Sequence, residues 1–185
     1  MSLSIAILVG SLRAESFNRQ LALALTLRPE AEDAAFRFVE IGDLPLYNQD
    51  YDGDPPAAAQ RLKQEIRDAD AVLFATPEYN RSIPGVLKNA LDHASRPYGD
   101  SAWVGKPAGI VGISTGRIGT ALAQSHLRAV LGVLGMPTLL SPELYVQYSA
   151  GMFDETGAMV APQHALLGEW LTAFIAHVRR VRETG

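Results

Sequence analysis

Apolar residues fall along this chain in short, nearly unbroken runs separated by stretches of helical spacing. Leu3 to Val9 is the first run and stops at Gly10. A continuous run of that length predicts a strand buried on both faces. Residues 16 to 27 then carry helical spacing, with Ser16 or Asn18 as the cap. Phe36 to Ile41 predicts a second strand. Gly42 to Pro56 is rich in Gly, Pro, Asp and Asn, and a loop this long is usually functional or mobile. Ala57 to Asp68 predicts a helix with Leu62 and Ile66 on its inner face and Arg61, Lys63 and Glu65 outside. Ala71 to Ala75 is a third buried strand, and Pro84 opens a helix over Gly85 to Ala94. Ala108 to Ile113 predicts a fourth strand and Ile118 to Leu134 a long helix. Pro137 to Leu140, with an extension toward Val146, predicts the fifth strand. His164 to Val181 closes the chain as a helix, with Leu167, Leu171, Phe174 and Val178 at helical spacing.

Strand and helix thus alternate five times, the pattern of an α/β fold with a parallel sheet covered by helices on both faces. Right-handed crossovers and the lack of a second mononucleotide half favour the flavodoxin-like strand order 2-1-3-4-5. The 185 residues fit one domain, 1–185.

Composition narrows the classes. The formal net charge is -4 and basic residues are scattered, so no nucleic-acid footprint is expected. Cysteine is absent, which excludes disulfides, thiolate nucleophiles and cysteine-bound metals. No H-E-x-x-H or EF-hand spacing occurs, and no metal is expected. The N-terminus has neither a basic leader nor a cleavage site, and no apolar run reaches the ~20 residues of a membrane span. These features predict a cytoplasmic protein with no membrane partner.

Ligands in such sheets bind beyond the carboxyl ends of the strands, where the order reverses. Three loops there have unusual composition. The first, Gly10 to Asn18, offers Ser11, Ser16, Asn18, the cation Arg13 and a helix start, parts that suit a phosphate. The same residues also make an ordinary capped helix with a solvated arginine. They match neither a Rossmann fingerprint nor a Walker A loop. The second loop, Thr76 to Gly85, is stiffened by Pro77 and Pro84 and carries Glu78, Tyr79 and Asn80. It suits a flat heterocycle, or a plain strand-to-helix connection. The third, Gly112 to Thr120, includes Ser114, Gly116 and Gly119 and lets backbone approach a ligand closely. It also spells G-x-S-x-G, the nucleophile-elbow pattern. A serine hydrolase with Ser114 as nucleophile, Asp154 as acid and His164 or His177 as base is therefore an alternative.

Gly10-Ser11-Leu12-Arg13 with Ser16 and Asn18, then Pro77-Glu78-Tyr79-Asn80 with Ser82, Pro84-Gly85 and Leu87-Lys88-Asn89-Ala90-Leu91-Asp92, resemble the NADPH-dependent FMN reductase family. That family includes bacterial chromate and quinone reductases and related azoreductases. The resemblance implies non-covalent FMN. It implies that Ser11, Arg13, Ser16 and Asn18 surround the FMN phosphate. It implies further that Pro77, Glu78, Tyr79 and Asn80 line the ribityl chain and ring, with Ser114 and Gly116 against the ring. Relatives are commonly homodimers or homotetramers, and Arg128 and Glu143 resemble a pair they use across subunits. His93 stands where relatives often carry tryptophan. Arg117 departs from their glycine- and serine-rich third loop and is a candidate for the 2′-phosphate of NADPH.

No side chain accepts a hydride, so redox chemistry must belong to the cofactor. The residues named are binding residues, none catalytic. The expected activity is transfer of reducing equivalents from NADPH or NADH through FMN to a small-molecule acceptor such as a quinone, chromate or an azo compound. A flavin-binding electron carrier or sensor is the nearest alternative.

Overall fold

The computed structural model describes residues 2–160 and 164–184. Five parallel strands run in the order β2-β1-β3-β4-β5. They are β1 (Leu3–Val9), β2 (Ala34–Val39), β3 (Ala71–Ala75), β4 (Ala108–Ser114) and β5 (Tyr145–Gln147). The helices are α1 (Phe17–Thr26), α2 (Ala57–Asp68), α3 (Gly85–Ala94), α4 (Ala121–Val133) and α5 (His164–Thr184). The order is the expected flavodoxin-like one.

Alternation along β1 divides the core in two. Ile5 and Ile7 pack with Leu21, Leu25, Trp170 and Phe174 of α1 and α5. Ala6 and Leu8 face the other way, onto Leu62, Leu87, Leu91 and Leu127 of α2, α3 and α4. Opposite sides for successive residues are what the two-residue period of a strand requires. Each fully buried Leu, Ile or Phe contributes ~1.5–3 kcal/mol over exposure, so these two layers hold the sheet rigid beneath the loops.

Several boundaries differ from expectation. The second strand is Ala34–Val39, not Phe36 to Ile41, because pairing begins where β1 begins, with Leu3 beside Ala34. The fourth long helix starts at Ala121, not Ile118. Gly119 is left-handed at φ +59 and ends any helical run there, leaving Thr120 as the cap residue. The fifth strand is Tyr145–Gln147, beside Gly112–Ser114. Pro137 to Leu140 touches the sheet only through one bridge at Thr138. Pro137 and Pro142 each lack an N–H, and a proline cannot donate to a ladder. Lys63 is buried rather than outside: its Nζ bonds Asp100 at 2.7 Å and the Arg96 carbonyl, tying the 96–100 turn to α2. No described helix is long and apolar enough to cross a membrane.

Candidate functional site

At the carboxyl ends of β1, β3 and β4 the three unusual loops converge. Gly112 permits this. A Cβ there would lie 1.9 Å from Thr120 Oγ1 and 2.5 Å from the Thr76 carbonyl, so any side chain would force the second and third loops apart.

The first loop leaves β1 with the Gly10 N–H on the Ala75 carbonyl at 2.9 Å. Residues 14 and 15 form a hydrogen-bonded turn ahead of α1, which engages the Ser16 N–H; the other N–H groups from Ser11 to Asn18 have no acceptor among the described residues. Free donors at a helix start suit an anion. Ser16 caps α1, its Oγ accepting from the Arg19 N–H at 3.2 Å. The Arg13 guanidinium lies 5.0 Å from the Phe17 ring centroid. Its only ion pair among the described residues is with Glu15 at 3.7 Å, with both side chains more than half exposed, so little holds it back from a ligand. Phe17 in turn stacks on Tyr148, 3.8 Å between centroids.

The second loop forms a tight reversal. Tyr79 and Ser82 exchange both backbone hydrogen bonds at 3.0 Å. Asn80 and Arg81 between them are both left-handed, at φ 51 and 66. This is a type I′ turn, which needs positive φ at both central positions. The Glu78 carboxylate, 8% exposed, does not enter solvent. Its Oε2 accepts from the N–H groups of Leu122 and Ala123 at 3.0 and 3.1 Å, so the second loop caps α4. The N–H groups of Glu78 and Asn80 have no acceptor among the described residues.

Together the loops enclose a cleft of about 240 Å³. Every predicted site residue lines it except Asn80 and Gly116, joined by Phe17, Ile113 and Thr115. Asn80 sits at the tip of its turn. Gly116 donates its N–H to Ser114 Oγ at 2.9 Å, shaping the third loop from behind. Phe17, Ile113 and Thr115 were missed by sequence reasoning; their places beside Ser16, Asn18 and Ser114 in the same loops are the signal that would have found them. A larger groove of about 510 Å³ lies between residues 29–33 and α5. Its four carboxylates, Glu30, Glu32, Asp33 and Glu183, outnumber its two arginines, Arg179 and Arg180, and disfavour an anion.

The Gly42 to Pro56 segment is anchored on α3. Asn89 donates to the Pro45 carbonyl and accepts from the Tyr47 N–H, both at 2.8 Å. His93 Nε2 lies 2.8 Å from the same Pro45 carbonyl, with Tyr47 packed edge-on at 5.4 Å. Arg128 and Glu143 pair within the chain at 3.0 Å.

The hydrolase alternative fails on geometry. His177 is tied to the Pro137 carbonyl at 3.0 Å and to Arg180 at 3.3 Å. The Asp154 carboxylate is held by Thr156 and Ala158 of its own turn, which also lowers its pKa. No histidine is hydrogen-bonded to Ser114.

The residues present fit a flavin mononucleotide. The donor run after β1 matches its phosphate, and the free N–H groups of Glu78 and Asn80 match a ring edge with carbonyl oxygens. A phosphate cradle after the first strand of a sheet in this order, flanked by two stiff loops, defines a flavodoxin-like flavoprotein. The chain belongs to the NADPH-dependent FMN reductase family, which it matches over residues 3–151. It is 56% identical over 162 residues to a 2-hydroxy-1,4-benzoquinone reductase of a Burkholderia species, covering 87% of each chain. It is 48% identical over 178 residues to a quinone reductase of Pseudomonas putida, covering 95% of each. Among solved structures it resembles FerB, a flavoenzyme NAD(P)H:(acceptor) oxidoreductase from Paracoccus denitrificans. That TM-score is 0.91 at 42% identity, over 96% of this chain and 98% of FerB.

Proposed function

We propose that the chain is an NAD(P)H-dependent FMN oxidoreductase that delivers reducing equivalents to quinones. The convergence of the donor run after β1 with the Pro77 to Asn80 loop and Ser114 carries this reading. The quinone reductase names of its relatives support the acceptor class. Chromate and azo compounds are secondary acceptors on the same ground, since any exposed reduced flavin can reduce them.

Bound FMN supplies the hydride-accepting and hydride-donating ring that no side chain can replace. The protein's part is binding and orientation. Ser11, Arg13 and Ser16 hold the phosphate with the free N–H groups of the loop, and Asn18, whose side-chain amide is engaged by Ile113, contributes its backbone N–H. Pro77, Glu78, Tyr79 and Asn80 set the ring's position from one side, and Ser114 and Gly116 from the other. Tyr79, half exposed, stands at the cleft mouth where donor and acceptor enter in turn. No protein acid or base is assigned.

Tyr79, Ile118 and Leu122, from the second loop, the third loop and the start of α4, are exposed apolar side chains. The family resemblance supports self-association as a homodimer or homotetramer. The absence of cysteine supports a reducing, cytoplasmic setting. One domain over 1–185 completes the reading.

An anaerobic visible spectrum of the FMN-reconstituted protein tests it. NADPH or NADH should bleach the bound flavin within the mixing time of a stopped-flow experiment, and added benzoquinone should restore the colour. Flavin that stays yellow with both donors would favour a carrier reduced by another protein. No flavin binding would overturn the reading altogether.

A further inference from the structure

Behind the first loop, on its β2 side, lies a second groove of about 250 Å³. Its lining includes Ser11, Arg13, Arg19, Glu40 and Ile41. Ser11 and Arg13 border this groove and the flavin cleft alike, so the first loop is a shared wall between them. We propose that this groove receives the pyrophosphate of the nicotinamide dinucleotide, with Arg19 as its principal cation. The proposal rests on the reading of the chain as an NAD(P)H-dependent oxidoreductase and names where the donor's phosphate-bearing end docks.

The state of Arg19 carries the inference. Its guanidinium lies 4.6 Å from the Phe38 ring centroid. It forms no ion pair among the described residues, unlike Arg13, Arg28, Arg61 and Arg81. An arginine resting on an aromatic face keeps its N–H edge outward and loses little further freedom on binding. A planar fork of donors with no carboxylate to satisfy it is the group suited to a phosphate oxygen pair. The chain as a whole carries a formal net charge of -4, so an uncompensated cation beside the flavin cleft matters for attracting an anionic donor. FMN does not use this cation: Arg19 is absent from the flavin cleft and meets the phosphate loop only through its backbone N–H on Ser16.

Glu40 completes the groove. One of its carboxylate oxygens accepts from the Gly42 N–H at 2.6 Å. The other has no partner among the described residues, which leaves an acceptor at the end of β2 for a ribose hydroxyl. Arg117, the other arginine near these loops without an ion pair, borders neither cleft.

The test uses Arg19→Met, which keeps an apolar stem over Phe38 and removes the charge, on the FMN-loaded protein. Flavin reduction is followed with NADH, NADPH and dihydronicotinamide riboside, a donor without phosphates. The expected result is a rise of about tenfold in KM for NADH and NADPH alike, with kcat and the FMN dissociation constant unchanged. The KM for the riboside should not move, and Arg19→Lys should restore part of the dinucleotide affinity. Unchanged KM for both dinucleotides would overturn the proposal. So would an equal rise for the riboside, or a KM loss in Arg117→Ala that Arg19→Met lacks. Failure of the underlying reading looks different: wild-type flavin would then resist all three donors.

Discussion

The Asn18 side chain bonds both peptide groups of Ile113, donating to its carbonyl at 2.9 Å and accepting from its N–H at 3.0 Å. The two residues are 95 positions apart. The Val111 carbonyl, two residues earlier on β4, accepts from Thr76 at the end of β3. Ile113 presents its groups to that same side, where β3 no longer runs. Asn18 takes the place of the missing strand and fixes the phosphate loop to the third loop. Asn18→Ala should leave two buried backbone groups unpaired, at about 1–3 kcal/mol each. Chemical denaturation of the FMN-free protein should show that loss, and FMN titration should show weaker binding. An unchanged midpoint would mean that water replaces the amide.

Glu78 does for the second loop what Asn18 does for the first. Glu78→Ala should cost about 1–2 kcal/mol, as loss of a helix cap does, while Glu78→Gln keeps an acceptor and should cost only tenths. The thermal midpoints of the two variants separate capping from charge. Equal losses would place the effect in the charge alone.

Arg13 is the cation of the phosphate loop, and a charge-assisted contact contributes ~1.5–3 kcal/mol. Arg13→Ala should weaken FMN binding by about tenfold or more while leaving riboflavin binding alone. Equal weakening of both flavins, read by fluorescence quenching, would remove Arg13 from the phosphate.

Arg81 holds a left-handed conformation at φ 66 that costs an ordinary residue ~1–2 kcal/mol. Its pair with Glu78, at 3.4 Å with Arg81 largely exposed, returns little. Arg81→Gly should therefore keep or raise the thermal midpoint of the FMN-free protein. A fall of several degrees would show that the side chain supports the turn.

The hydrogen bond and charge of Lys63 hold the Asp100 carboxyl below the usual carboxylate range. A folded value below the unfolded one stabilises the fold above the ordinary carboxylate pKa. That contribution is lost as pH falls through the folded value. Asp100 is more than half exposed, so the effect is small. Asp100→Asn should lower stability near neutral pH and flatten its acid limb, with the gap to wild type closing at low pH. A gap independent of pH, in urea melts, would argue against the carboxylate.

Most of the fold was legible in the sequence because it is written locally. Leu3 to Val9 and Ala71 to Ala75 are buried on both faces and read as such without knowledge of their neighbours. The three loops were legible for the same reason, since Ser16, Arg13 and Tyr79 stand between strand and helix. Where the sequence misled, a distant partner decided. Strand pairing with β1 moved the start of β2 to Ala34, and Gly112 accepted Tyr145 rather than Pro137 as its neighbour. Lys63, polar by type, is buried because Asp100 and the Arg96 carbonyl meet it.

The order of elements and the identity of the three loops follow from residue types and spacing, because hydrophobic period and turn chemistry are properties of neighbouring residues, and the family follows from the resemblance of the motifs in those loops. Only the tertiary structure decided what each side chain does there. Asn18 turns to Ile113, Glu78 turns to the start of α4, and Arg19 lies on Phe38 without a carboxylate. Those roles depend on which hydrogen-bonding groups the ends of the strands leave unpaired, and that is settled when the sheet has assembled.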